Sequence, residues 1–203
     1  EKLKKEEEEN LSCNGLISNL MGTTSNIILI KDNSLFLANV GDSLSVLYNK
    51  NGNAIKLNRE HKTTLESEKE RIINSGSQII NKRIGGVLNL ARALGDFEFK
   101  KNYKKSRNEQ SVISLPEITK ITNLDDIDFL IMGCDGIWDC HSNKEKINQF
   151  CKEIKEIMNN NPEGKLSDIL QKKFDEDISK INGVPIGTDN MSCIIIKFKH
   201  GDN

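Results

Sequence analysis

The sequence predicts an α+β fold, in which antiparallel sheets form a sandwich and helices pack outside the sheets. Short apolar runs between residues 22 and 57 are joined by connections that are too short for the crossovers of a parallel sheet. Two amphipathic helical patterns follow between residues 142 and 174. An apolar run from Phe129 to Cys134, typical of a buried strand, leads directly into Asp135.

Composition and charge favour one ordinary domain. The chain has 203 residues, with 29 Lys and Arg against 30 Asp and Glu, and its net charge is -1. This balance does not suggest a nucleic-acid or anionic-membrane binder, and no apolar run has the roughly 18 residues of a spanning helix. We therefore expect an intracellular monomer, cytoplasmic or nuclear. The five cysteines form no CxxC pair and indicate reduced thiols.

The N-terminal part divides into a charged segment and a run of strands. Residues 1–20 are interpreted as a charged linker or inserted segment, and residues 21–200 as one domain. Turn residues separate four short strand patterns, and the last two flank Asn51-Gly52, a type I′ turn dipeptide. The sequence predicts an antiparallel meander with these strands: Ile27 to Ile30, Leu35 to Val40, Leu44 to Tyr48 and Ala54 to Leu57.

A helix and a long irregular segment are predicted next. Thr63-x-x-Glu66 has the pattern of a capping box, which predicts a helix from Glu66 to Asn74 that ends at Gly76. Residues 77–115 show no regular pattern, and long loops of this kind are commonly functional or mobile. Ile118 to Ile121 is predicted as a strand that runs beside Phe129 to Cys134.

Two helices and a returning strand complete the chain. Ser142-x-x-Glu145 predicts a second capping box. The apolar positions of the two helices are Ile147, Phe150, Cys151, Ile154, Ile157 and Met158, and then Leu166, Ile169, Leu170 and Phe174. A loop with Gly183, Pro185 and Gly187 then leads to Asp189 and to a final strand from Met191 to Phe198.

Three aspartates are candidate metal ligands. Asp135 follows one buried strand and Asp189 precedes another, so the two carboxylates meet if these strands are antiparallel neighbours. Asp139 lies one helical turn after Asp135 if the chain coils there. Carboxylates without thiolate or imidazole partners suit Mg²⁺ or Mn²⁺ and disfavour zinc. The pattern alone leaves open the alternative that these residues cap helices and begin turns.

Other catalytic signatures are not supported. Gly41-Asp42-Ser43-Leu44-Ser45 lacks the final glycine of a nucleophile elbow and joins two strands, where the elbow joins a strand to a helix. No G-x-G-x-x-G occurs, and Gly164-Lys165 lacks the glycine spacing of a P-loop. Asp135-Gly136-Ile137 does not match the D-x-D of phosphohydrolases with an aspartyl nucleophile.

Taken in order, the motifs of this chain resemble those of the metal-dependent protein serine/threonine phosphatases of the PP2C (PPM) family. The resemblance rests on Gly22-Thr23-Thr24, Ala38-Asn39-Val40-Gly41-Asp42-Ser43, Glu60-His61-Lys62, Glu68-Lys69-Glu70-Arg71-Ile72, Ala91-Arg92-Ala93-Leu94-Gly95-Asp96, Pro116-Glu117, Cys134 to Asp139 and Asp189-Asn190-Met191-Ser192. It implies an α/β/β/α sandwich with metal ions in a cleft at one edge.

The resemblance also implies roles for individual residues. Asp135 and Asp189 match two aspartates of the binuclear metal centre, which holds Mg²⁺ or Mn²⁺. Asp139 and Glu60 match positions linked to a third ion, although Glu60 stands where the family usually has Asp. Residues 83–115 match the flap beside the active site, where Arg92 faces substrate or forms a structural salt bridge.

Other family motifs find no match before Gly22, namely a Glu-Asp pair, D-G-H-G-G with its candidate general acid, and a phosphate-binding arginine. The resemblance covers the C-terminal two-thirds of a catalytic domain, with the N-terminal part missing. We expect the parent protein to dephosphorylate phosphoserine and phosphothreonine in phosphoproteins through a metal-activated water. The chain alone is expected to be inactive or weakly active, and the alternative is a non-catalytic pseudophosphatase that binds or regulates a partner.

Overall fold

The structure is a computed structural model that describes residues 19–180 and 189–199. Nearly all of the predicted linker, residues 1–18, lies outside the described residues, as does the predicted loop through Gly183, Pro185 and Gly187. The chain divides into two compact units. Within the described ranges, unit 1 comprises residues 19–25, Ala38–Asp42 and Glu60–Glu117, and unit 2 comprises the rest.

A four-stranded antiparallel sheet is the centre of unit 2. Its order is β11-β10-β4-β5, with β4 at Leu44–Asn49, β5 at Ala54–Lys56, β10 at Ile127–Gly133 and β11 at Cys193–Lys197. Ile131 of β10 pairs with Val46 of β4 on one side and with Ile195 of β11 on the other. The predicted buried strand is therefore confirmed, and its central position explains its nearly continuous apolar sequence.

A three-stranded sheet has the order β2-β3-β9, with β2 at Ser25–Lys31, β3 at Ser34–Val40 and β9 at Glu117–Thr122. Asp32 and Asn33 connect β2 to β3 with positive φ angles, as a tight two-residue hairpin requires. The predicted continuous meander is wrong, because β3 and β4 belong to different sheets. The predicted hairpin of β9 with β10 is also wrong, because these strands belong to different sheets. A turn that leads from one sheet to another can have the same short polar sequence as a hairpin turn.

Apolar side chains from both sheets form one cluster of unit 2: Leu35, Leu37, Leu47, Leu57, Leu124, Ile127 and Leu130. The other face of the four-stranded sheet packs against helices α3 and α4, at Lys144–Asn160 and Leu166–Lys180. All predicted apolar positions of these helices are buried or packed against this second cluster. The predicted α+β sandwich is thus confirmed. None of the described helices is long and apolar enough to cross a membrane.

The capping boxes predicted for two helices are both wrong. Helix α3 is capped by Asn143, one residue after Ser142, and the Asn143 side chain accepts a hydrogen bond from the Lys146 amide. Helix α1, at Glu66–Asn74 in unit 1, begins after Leu65 without a side-chain cap. Thr63 instead donates its hydroxyl to the carbonyl of Lys82, at 2.6 Å. The Thr63 hydroxyl therefore bonds to a residue distant in sequence and does not cap the helix.

The remainder of unit 1 is largely irregular, as predicted. Two-residue strands β6 at Ile79–Ile80 and β7 at Arg83–Ile84 form one pair, while β1 at Gly22–Thr23 pairs with β8 at Leu94–Gly95. A small apolar cluster packs beneath them: Ile72, Ile84, Ala91, Ala93 and Val112. Helix α1 ends in a Schellman motif at Gly76, whose φ of 91° places it in the left-handed region, so the predicted stop is confirmed.

Candidate active site

Asp135 and Asp189 lie at the same end of the pair formed by β10 and β11. The last paired residues of these strands are Gly133 and Cys193. The pairing continues one step further, because the amide of Cys134 donates to the carbonyl of Ser192 at 3.1 Å. Asp135 follows this step, and Asp189 precedes it. The antiparallel arrangement on which the sequence argument depended is therefore present.

Gly136 allows these two segments to approach closely. A β-carbon at this position would overlap the carbonyl oxygen of Asn190 and would lie 3.5 Å from the β-carbon of Asp189. Each aspartate uses one carboxylate oxygen to accept the amide of the next residue, at 3.0 Å from Gly136 and at 2.7 Å from Asn190. Asp189 thus lies directly beside the Asp135-Gly136 turn, and each carboxylate retains a second oxygen.

A short helix, α2 at Asp135–Trp138, holds Asp135 against the sheet. The indole nitrogen of Trp138 donates to the carbonyls of Leu44 and Gly133, both at 3.0 Å. Because Trp138 is almost completely buried, these bonds fix the orientation of α2. The amide of Asp139 bonds to the carbonyl of Asp135, so the predicted single helical turn between these aspartates is confirmed.

The donor atoms at this edge are hard carboxylate oxygens, which fit Mg²⁺ or Mn²⁺. Within the described residues, neither Asp135 nor Asp189 forms a salt bridge with Lys or Arg. No cluster of three or more metal-binding side chains occurs in this part of the chain. Asp135 and Asp189 thus have the chemistry of metal ligands, and their role at a metal centre stays a prediction.

Glu60 lies in unit 1, whereas the three aspartates lie in unit 2. Its carboxylate is 3.0 Å from the ammonium group of Lys62, and its role at a third metal ion stays a prediction. The neighbouring His61 is fully buried, and its Nδ1 accepts the amide of Gly41 at 3.1 Å. Burial, with a smaller contribution from Arg92, lowers the pKa of His61, so the imidazole is neutral at pH 7.

A buried ion network joins helix α1 to the flap region of unit 1. The Glu68 carboxylate, of which 1% is exposed, accepts hydrogen bonds from the guanidinium groups of Arg71 and Arg92. Arg92 also donates to the carbonyl of Leu115, at 2.9 Å. The structural salt bridge considered for Arg92 is thus present, and its contact with substrate stays a prediction.

Arg71 connects two separate segments of the flap region. Its guanidinium donates to the carbonyl of Ala91 at 2.6 Å, and to those of Gln110 and Ser111 at 3.0 and 3.2 Å. Burial by itself would raise the pKa of Glu68, but the bonds from Arg92 and Arg71 outweigh it and hold the pKa below its ordinary value. Glu68 is therefore ionised at neutral pH.

The family model described as Protein phosphatase 2C matches residues 2–181, which is most of the chain. The chain belongs to the protein phosphatase 2C family. Members of this family are metal-dependent, in agreement with the oxygen donors at Asp135 and Asp189.

Individual relatives give the same result. "Probable protein phosphatase 2C 21" of Arabidopsis thaliana is 42% identical over 88% of this chain and 48% of its own length. "Probable protein phosphatase 2C 6" of Paramecium tetraurelia is 37% identical over 90% of this chain and 59% of its own length. The chain therefore spans about half the length of the curated relatives that it matches.

A solved phosphatase structure from Toxoplasma gondii has a similar fold. It superposes with a TM-score of 0.67 over 82% of this chain and 50% of its own, at 24% sequence identity. This similarity supports the fold assignment and carries no information about substrates.

The sequence predicted the salt bridge of Arg92 but not the buried positions of its partners Glu68 and Arg71. Glu68 and Arg71 have the spacing of an ordinary exposed pair on a helix. Their burial depends on the packing of residues 91 and 110–111 over α1. In the structure, Ile72 packs in one cluster with Ala91 and Ala93, but the spacing of these residues in the sequence does not indicate that contact.

Proposed function

We propose that the protein of which this chain is a part hydrolyses phosphoserine and phosphothreonine in phosphoproteins, with Mg²⁺ or Mn²⁺ ions held in part by Asp135 and Asp189. The observation that carries this proposal is the close approach of the Asp135-Gly136 turn to Asp189 and Asn190. It places two segments that carry carboxylates side by side, in a chain whose family is metal-dependent.

The residues of this chain have distinct tasks in the proposed reaction. Asp135 and Asp189 would bind the two ions of the binuclear centre, and Asp139 and Glu60 would contribute to a third. When bound, the ions would lower the pKa of a water molecule, orient it towards phosphorus and offset the charge that develops on the phosphoryl group. Trp138 and Gly136 keep the Asp135 turn in place against the neighbouring segment.

The flap region, residues 83–115, would contribute to the choice of substrate. Arg71 and Arg92 attach this region to helix α1, because both bond to Glu68 and to backbone carbonyls in the flap region. Arg92 would thus position this region, and any contact with substrate would add to that role. The chain by itself is expected to have little activity, because it spans only about half the length of the curated relatives that it matches.

The test is metal-dependent hydrolysis of p-nitrophenyl phosphate by the full-length protein. Replacement of Asp135 by Asn should lower the Mn²⁺-dependent rate at least 100-fold, and Asp189→Asn should have a similar effect. Asp126→Asn is the matched control, because Asp126 is an exposed aspartate of the turn before β10 and should leave the rate unchanged.

Titration calorimetry with Mn²⁺ separates catalysis from metal binding. The proposal predicts that Asp135→Asn and Asp189→Asn also weaken binding of the ion. A folded full-length protein that binds neither Mn²⁺ nor Mg²⁺ and does not hydrolyse the aryl phosphate would contradict it, and would instead indicate a non-catalytic pseudophosphatase.

A further inference from the structure

Unit 1 contains a cavity that has no role in the metal centre described above. It has a volume of about 350 Å³, which is within the range of ordinary ligand pockets. The flap region supplies its lining, including Leu94, Phe97, Lys100, Lys105, Arg107 and Gln110. Three of these six residues are cationic, in a chain whose net charge is only -1.

The cations at this cavity are available to a ligand to different degrees. Lys100 donates to the carbonyl of Ala93 at 2.8 Å. Lys105 and Arg107 form no salt bridge with any acidic side chain in the described ranges. The pKa of Glu109 is lowered mainly by its hydrogen bonds with Ser106, and the nearby charge of Lys105 lowers it further. An anionic group that binds Lys105 and Arg107 would therefore break no salt bridge, although Glu109 offsets part of the charge of Lys105.

The backbone that carries these cations is held in place by Gln110. Its amide nitrogen donates to the carbonyls of Asn102, Lys105 and Ser106, at 2.9, 3.0 and 3.3 Å. Its amide oxygen accepts the amide of Asn102 at 3.0 Å. Because Gln110 is buried, the loop from residue 102 to 106 has a defined shape before any ligand binds, which lowers the entropic cost of binding.

An apolar surface lies beside the cations. The residues Leu94 and Phe97 remain 43% and 57% exposed although they line the cavity. The ammonium group of Lys100 lies 5.9 Å from the centre of the Phe97 ring. A ligand that fits this cavity would therefore combine an anionic group with an apolar side chain, a combination that a peptide segment can provide.

We propose that this cavity binds an anionic side chain of the phosphoprotein substrate, other than the phosphoryl group that is hydrolysed, through Lys105 and Arg107. The proposal rests on the proposed phosphatase function and assigns a preference for substrates that carry acidic or additional phosphorylated residues besides the target residue. Leu94 and Phe97 then contact an apolar side chain of the same segment. Arginine matches the planar, bidentate geometry of carboxylate or phosphate, and lysine acts as a point charge.

The experiment compares three phosphothreonine peptides as substrates of the full-length protein. They differ only at positions other than the phosphothreonine, which carry glutamate, glutamine or phosphoserine. The double variant Lys105→Ala/Arg107→Ala should raise KM about five- to ten-fold for the glutamate peptide, as expected for the loss of two partly exposed ion pairs. KM for the glutamine peptide should change less than about two-fold.

The control is Lys104→Ala, an exposed cation of the same loop that does not line the cavity, which should leave KM for all three peptides unchanged. The charge-preserving variant Lys105→Arg/Arg107→Lys should keep most of the preference. A stronger effect on the diphosphorylated peptide than on the glutamate peptide would identify phosphate as the favoured anion. An equal rise in KM for the glutamate and glutamine peptides would overturn the proposal.

A binding measurement separates this proposal from the phosphatase function. Fluorescence anisotropy with a labelled, unphosphorylated glutamate peptide reports binding without metal ions or turnover. If Lys105→Ala/Arg107→Ala binds the peptide more weakly and Lys104→Ala does not, the result supports peptide binding at the cavity. This holds even if the protein has no phosphatase activity. If the enzyme is active and Lys105→Ala/Arg107→Ala binds the peptide with the same affinity as Lys104→Ala, the proposed role of the cavity is refuted. The proposed phosphatase function would not be affected.

Discussion

Replacement of Glu68 by glutamine should destabilise the protein far more than a typical substitution on a helix. Glutamine keeps the shape of the side chain but removes its negative charge. The guanidinium groups of Arg71 and Arg92, whose side chains are only 12% and 14% exposed, would then be left without their shared anion. One of the two side-chain oxygens would also become an NH₂ group, which cannot accept a hydrogen bond from a guanidinium.

The magnitude follows from this burial. Removing one partner of a buried ion pair costs about 3–5 kcal/mol, because a charge remains without compensation. Arg71 and Arg92 keep their bonds to backbone carbonyls, so the lower part of that range, about 3 kcal/mol, is expected. For a protein of this size this corresponds to a decrease in Tm of roughly 6–12 °C.

The measurement is urea denaturation of wild type and Glu68→Gln, with Glu70→Gln as the control. Glu70 lies on the same helix and is exposed, so its variant should unfold within about 0.5 kcal/mol of wild type. If Glu68→Gln lowers the free energy of unfolding by less than about 1 kcal/mol, the reasoning is refuted. Removal of the carboxylate would then not leave the two guanidinium groups as buried charges without compensation.

Further predictions concern pH and two glycines. The pKa of Glu68 is lowered in the folded state, so the ionised carboxylate stabilises the fold at pH values above the ordinary pKa of 4.5. This stabilisation is lost as pH falls through the lower folded pKa. The free energy of unfolding of Glu68→Gln should therefore depend less on pH than that of wild type below about pH 4.5. Gly136→Ala should weaken Mn²⁺ binding, measured by calorimetry, about ten-fold or more, because the new methyl group displaces Asn190 and with it Asp189. Gly76→Ala should lower the free energy of unfolding by about 1 kcal/mol in urea denaturation, since alanine is strained at a φ of 91°.

The strands and the two long helices could be predicted because their apolar patterns report burial directly. β10 is apolar at nearly every position since both of its faces are covered, and α3 carries one apolar stripe since only one of its faces is. These patterns depend on the local environment of each side chain. They contain no information about which strands are neighbours, so the pairing of β9 with β3 could not be predicted.

The errors at the helix starts have a related cause. Ser142 and Thr63 both fit the capping-box pattern, and the chain used Asn143 in one case and no side-chain cap in the other. A hydroxyl group has several backbone groups within reach in a folded chain, and Thr63 bonds to the carbonyl of Lys82. Sequence spacing identifies a residue that is able to cap a helix, while tertiary contacts decide whether it does.

The candidate metal centre shows how a site can be suggested by sequence and still depend on features that the sequence pattern does not show. The positions of Asp135 and Asp189 next to apolar strands suggested that they meet, but this requires that β10 and β11 pair and that nothing separates their ends. Gly136 removes the side chain that would separate them, and Trp138 fixes the short helix by bonding to Leu44 and Gly133. Metal affinity should therefore depend on Gly136 and Trp138, two residues that carry no ligand atom, because they keep the two carboxylates together.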